Sequence, residues 1–86
     1  MINIAIIGAG IGREHLAALR KLPSKFRVVA VVDQNLERIE EIRDGDTFAA
    51  VSDIKKVLTD PEIDVIDICL PPHLHVSVTL DALNLG

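Results

Sequence analysis

Two features of the chain have residue types and spacing suited to chemistry: the segment Gly8-Ala9-Gly10-Ile11-Gly12 and the carboxylate of Asp33. Glycines in a strand-to-helix turn accept positive φ and let backbone amides approach a pyrophosphate without side chains intervening. The N-terminus of the following helix adds free N–H groups and the positive end of its dipole. Asp33 stands 23 residues after Gly10, at the end of an apolar run. There a carboxylate can accept hydrogen bonds from the ribose diol of an adenosine. The two together point to a dinucleotide. NAD(H) is favoured over NADP(H), because a carboxylate repels a 2′-phosphate and the neutral Gln34 offers it no cation. The competing readings are a glycine-rich connection without a ligand and an aspartate that caps the next helix. In the dinucleotide pattern G-x-G-x-x-G, the third glycine would fall at Arg13, so Gly12 comes one residue early.

Other candidates are weaker. His73 and His75 flank Leu74 after Pro72, at the start of an expected helix. Residues at i and i+2 of a helix point roughly 200° apart, so the pair does not chelate. With no carboxylate or thiol at supporting spacing, no metal site is expected. His15 is expected to pack near the loop after the fourth strand. Cys69 lies in a continuous apolar run and is expected to be buried and inert. Asp64 and Asp67 read as strand-end and turn carboxylates.

These residues need elements to position them, and short apolar runs alternate with helical periodicity along the chain. Strands are expected at 4–7, 28–32, 47–51 and 65–70. Their continuous apolar character suits strands covered on both faces. Helices are expected at 12–22, stopped by Pro23, and after Asp33, with Leu36, Ile39 and Ile42 inward and Glu37, Arg38, Glu40, Glu41 and Arg43 outward. A third helix, N-capped by Ser52, carries Ile54, Val57 and Leu58. A fourth runs over 73–85, with Val76, Leu80 and Leu83 on one face. The order βαβαβαβα implies an α/β, doubly wound, Rossmann-like parallel sheet with strand order 3-2-1-4. Ligands of such sheets bind at the switch point, between the C-terminal ends of strands one and four.

Composition bounds the rest. Eighty-six residues make one domain, 1–86, without a second. A chain this small buries only about 60–65% of its unfolded surface, for a stability of a few kcal/mol. The hydrophobic share of 49% supports a packed core, and with Phe26 and Phe48 the only aromatics that core is aliphatic. The net charge is −4, and no Lys/Arg cluster exceeds two residues. Nucleic acid is therefore not an expected partner. A single cysteine precludes an internal disulfide, and no signal-peptide layout or membrane span is visible. A cytoplasmic location is expected. The outer edge of the fourth strand is a candidate surface for homo-oligomerisation.

Taken together, Gly8-Ala9-Gly10, Gly12-Arg13-Glu14-His15, Val31-Val32-Asp33 and the stretch from Asp60 to Cys69 and on through Pro71-Pro72-His73-Leu74-His75 carry a family likeness. The chain resembles, over essentially its whole length, the N-terminal domain of the glucose–fructose oxidoreductase, inositol dehydrogenase and rhizopine-catabolism family. The resemblance implies an NAD(P)-dependent dehydrogenase of sugars, polyols or related carbonyl compounds. It also implies that Gly8, Gly10, Ile11, Gly12, Asp33, Leu70, Pro71 and His75 neighbour the cofactor, Ile11 and Leu70 through backbone and shape. Two departures stand out. The family has two residues between its second and third glycines where this chain has Ile11 alone, and one deleted residue turns a helix by about 100° unless the loop compensates. Family members also continue, a few residues beyond the position of Gly86, into a Glu-Lys-Pro segment whose lysine is catalytic, and then into a substrate domain. No catalytic residue is therefore expected within these 86. The alternatives are a non-catalytic nucleotide-binding or assembly module and an inactive truncated remnant.

Overall fold

The computed structural model describes residues 1–70. Seven elements follow in order: β1 (Ile2–Ile7), α1 (Ala9–Leu19), β2 (Phe26–Val32), α2 (Leu36–Ile42), β3 (Ala49–Val51), α3 (Lys55–Leu58) and β4 (Val65–Ile68). The four strands form one sheet in the order β3-β2-β1-β4, parallel throughout. This is the doubly wound arrangement the alternation implies, with the switch point at β1 and β4. The expected fourth helix lies outside the described residues. Among those residues, no helix is long and apolar enough to cross a membrane.

The central strands are apolar throughout because both faces are covered. On one face Ile4, Ile6 and Val31 pack with Ala9 and Leu16 of α1, Ile39 and Ile42 of α2, Phe48 and Cys69. On the other, Ala5, Ile7, Ala30 and Val32 pack with Val57 of α3. The period of two along β1 sends alternate residues to opposite layers. Along β2 the alternation changes phase. Ile4 pairs with Val28 but Ala5 pairs with Ala30, leaving Val29 as a bulge residue. The extra residue places Val28 and Ala30 on opposite faces, which a regular strand would not do.

Several boundaries differ from the periodicity. α1 starts at Ala9 rather than at 12, so Gly10, Ile11 and Gly12 form its first turn. It also ends before Pro23. The residue preceding a proline is steered away from helical φ/ψ. The helix instead tightens at Arg20 through Lys21 N–H to Ala18 (3.2 Å) and Leu22 N–H to Leu19 (3.0 Å). Leu36, expected inward, is 46% exposed. It is the first helical residue after the cap Asn35, whose side chain accepts from Glu37 N–H, so Ile39 and Ile42 alone are buried on α2. Ser52 is exposed and caps nothing. The Asp53 carboxylate accepts from Lys55 N–H instead (3.0 Å), and α3 is a single turn. Arg43, expected among the solvated charges, turns inward. Its guanidinium lies 4.3 Å from the Phe48 ring centre and donates to the carbonyls of Asp46 and Phe48, both at 2.8 Å. An arginine with a flat apolar partner and unpaired loop carbonyls nearby gains more there than in water.

Gly12 controls how closely α1 approaches the sheet. A Cβ at this position would lie 2.5 Å from Cγ2 of the fully buried Ile6. Alanine normally favours a helix interior over glycine by about 1 kcal/mol. Gly12→Ala is nevertheless expected to lower stability, by about 1–3 kcal/mol, because the methyl overpacks a closed core. In an Ile6→Ala background the penalty should shrink or reverse. Denaturant midpoints of the four proteins in this cycle measure that coupling.

Candidate dinucleotide site

At the C-terminal ends of β1, β2 and β4 the backbone converges on Gly8. Its N–H donates to the Val32 carbonyl at 2.7 Å, and Cys69 N–H donates to the Ile7 carbonyl at 2.7 Å. Gly8 has φ +100, and a Cβ there would overlap the Cys69 carbonyl oxygen and press on Leu70. Only glycine both adopts that conformation and leaves β4 in place. Leu70, half-buried in the second apolar layer, is thereby brought to the turn.

The first turn of α1 has only part of its backbone donors satisfied. Gly12 N–H already bonds back to the Gly8 carbonyl at 3.0 Å, and Ala9 N–H donates to Asp33 Oδ2 at 3.0 Å. The amides of Gly10 and Ile11 have no acceptor among the described residues. Free amides of this kind, at the positive end of an eleven-residue helix, suit an anion. A Cβ at Gly10 would meet no atom of the described residues within 4 Å. Gly8 and Gly12 are thus required by the fold, whereas among the described residues nothing demands a glycine at position 10. Gly12 performs the close-packing role of a third glycine despite its early position. Because the helix begins directly at Ala9, the shortened turn still aims position 12 at β1. Arg13, the residue at the pattern's third-glycine position, points to solvent instead. Ile11 is 49% exposed and forms an apolar rim beside the free amides.

Asp33 joins this turn to the next helix. Its Oδ2 accepts from Ala9, and its Oδ1 accepts from Asn35 N–H at 2.9 Å. The carboxylate does more than cap one helix, since it ties the starts of α1 and α2 together. Each oxygen keeps a lone pair for a hydroxyl donor. Next to it, a cleft of about 160 Å³ opens between the two helices, lined by Gly10, Arg13, Arg38 and Glu41 among others. Two larger clefts among the described residues, about 360 Å³ beside Met1 and Phe26 and about 300 Å³ beside Asn3 and Lys56, do not touch the glycine turn. Pro71 and His75 lie outside the described residues.

The structure also assembles a group that spacing in the sequence does not reveal. Asp67 on β4 and Cys69, one residue past its end, face α1. His15 reaches them, with Nδ1 2.6 Å from Asp67 Oδ2 and 3.3 Å from Cys69 Sγ. Asp67 is thus a partner of His15 on the α1 face of the sheet, and the expectation of a plain strand-end carboxylate is corrected. Cys69 is buried as expected. Burial first, then the charge of Asp67 and a hydrogen bond to it, pushes its thiol up to about 12. Around neutral pH the thiol stays protonated and a poor nucleophile.

Comparison with known proteins agrees with this geometry. Residues 2–86 match the profile of the GFO/IDH/MocA oxidoreductase family, NAD-binding Rossmann fold. An inositol 2-dehydrogenase of Arthrobacter sp. is 33% identical over 84 residues, which is 95% of this chain and 25% of that protein. Among solved structures, an oxidoreductase from Thermotoga maritima superposes with a TM-score of 0.83 at 33% identity, over 99% of this chain and 27% of the other. A levoglucosan dehydrogenase in complex with NADH and L-sorbose gives a TM-score of 0.81 at 26% identity, over 99% of this chain and 25% of the other. The chain therefore spans about a quarter of the length of the relatives it matches. Fold, switch-point turn and family profile agree, and the chain belongs to the GFO/IDH/MocA oxidoreductase family, whose NAD-binding Rossmann domain it matches.

Proposed function

We propose that these residues bind NAD(H) as the dinucleotide half of a cytoplasmic oxidoreductase that acts on sugars, polyols or related carbonyl compounds. The observation that carries the reading is the pair of amides at Gly10 and Ile11, which have no acceptor among the described residues, in a helix start tied to Asp33. The pyrophosphate would lie over those amides, with Gly8 and Gly12 keeping the turn tight against β1 and β4. The diol of the adenosine ribose would donate to Asp33, and this carboxylate favours NAD(H) over NADP(H). Leu70, Pro71 and His75 would border the cofactor, as the family resemblance implies. Bound, the dinucleotide supplies or accepts the hydride. The groups within this chain bind and orient it, and none of them is assigned a proton-transfer role. Relatives named for inositol and levoglucosan oxidation support the substrate class.

Titration of NADH and NADPH into the 86-residue polypeptide tests this reading. Saturable NADH binding is expected, with NADPH at least tenfold weaker. A Cβ at Gly10 meets no described atom, so the thermal midpoint of Gly10→Val should not fall. The substitution fills the space the pyrophosphate needs, and NADH affinity should drop tenfold or more. Asp33→Ala should both weaken NADH and destabilise the fold by about 1–2 kcal/mol, since two backbone amides lose their acceptor. Failure of a folded chain to bind NADH, or unchanged binding by Gly10→Val, would refute the assignment.

The same polypeptide is expected to show no turnover of inositol or levoglucosan. The check is NADH absorbance with each polyol at saturating NAD. A substrate-dependent rise that disappears in Asp33→Ala would count against this division of labour.

A further inference from the structure

We propose that His15, Asp67 and Cys69 form a binding site for a divalent transition-metal cation of the zinc type, separate from the dinucleotide site and independent of that reading. One imidazole nitrogen, one carboxylate oxygen and one sulfur all lie within 4.8 Å of one another. This is a mixed N, O and S set of the kind that selects zinc-like ions over Mg²⁺ or Ca²⁺.

The fold builds the cluster from two elements. Two-residue spacing puts Asp67 and Cys69 on the same face. Gly12, whose Cβ position lies 3.9 Å from the Cys69 Cβ, lets α1 run close over that face. His15 is one turn further along the same side of the helix and therefore arrives above the strand. Tetrahedral zinc, with metal–ligand distances near 2.0–2.3 Å, needs donor–donor separations of about 3.4–3.6 Å. The Nδ1–Sγ distance of 3.3 Å is almost there. The Nδ1–Oδ2 distance of 2.6 Å must open by about 0.8 Å. The exposed His15 side chain provides that movement, with 45% of its surface accessible, while Cys69 stays anchored in the core. Solvent on the His15 side supplies the fourth ligand. On binding, the cation takes the place of the shared protons, and the Cys69 thiol releases its proton to solvent. Asp67, whose charge opposes a thiolate in the free protein, becomes its co-ligand. The sulfur belongs to the residue whose carbonyl abuts Gly8, so the cation would fasten α1 to β4 directly behind the glycine turn.

The test is titration of Co²⁺ into the reduced, metal-free 86-residue chain. One equivalent is expected to saturate, producing a thiolate-to-cobalt charge-transfer band and visible bands of four-coordinate intensity, both erased by Zn²⁺. Cys69→Ser should abolish the charge-transfer band. His15→Gln, at an exposed position that leaves the core intact, should weaken Co²⁺ binding at least tenfold with an unchanged circular dichroism spectrum. It therefore decides the matter even if Cys69→Ser fails to fold. Absence of a saturable charge-transfer band with Co²⁺ in large excess, or undiminished affinity in His15→Gln, overturns the proposal.

Discussion

The close approach of the α1 N-terminus to the ends of β1 and β4 is the constraint on which the rest of the molecule depends. Gly8 bends the chain out of β1 beneath the Cys69 carbonyl, and Gly12 lets the helix settle onto Ile6. A side chain at either position would push α1 off the sheet. Leu16 would then leave its fully buried site, and the layer formed with Ile39, Ile42 and Phe48 would open. The same approach aims the helix dipole and two free amides at the switch point, and it carries His15 over Asp67 and Cys69. Packing and ligand geometry are therefore a single arrangement.

Asp33 shows the same economy in polar form. The start of a helix leaves backbone donors without partners, and the ends of two helices meet here. A single carboxylate accepts from one donor of each, Ala9 and Asn35, and remains available to a hydroxyl. Its negative charge sits next to the positive end of α1 without covering the Gly10 and Ile11 amides. That end of the helix therefore keeps its positive character. The opposite ends of α1 and α2 are joined by Arg20, which donates to the Ile42 carbonyl at 2.8 Å and pairs with Asp46. The two helices are thus fastened at both ends, so the first turn of α1 is held where a ligand would meet it.

Strand identities and order were legible because β1, β2 and β4 are short, apolar and separated by helical spacing, and parallel crossovers leave few arrangements. Boundaries were less legible. The start of α1 was placed three residues late because glycines signal a turn, yet here they form the helix's first turn. Leu36 fits a helical stripe but falls at the cap, where no neighbour covers it. The bulge at Val29 left no trace, since the uninterrupted apolar run 28–32 has no phase to disturb. Arg43 looked like a surface charge because nothing local shows that Phe48 and two bare carbonyls wait beneath it.

For the candidate site, the sequence by itself determined which residues form the glycine turn and its acidic neighbour. Gly8, Gly10, Gly12 and Asp33 are defined by local requirements: a bend after a strand, an amide-lined approach, and an acid at the end of the next strand. Tertiary structure decided what each of them does. It separated Gly8 and Gly12, which the packing demands, from Gly10, which no described neighbour crowds. It gave Asp33 two backbone partners, and it brought His15 to residues 52 and 54 positions away. Local patterns encode backbone conformation and burial phase, which repeat over a few residues. Which side chains meet across a sheet depends on helix crossing and strand register, and these are properties of the packed whole.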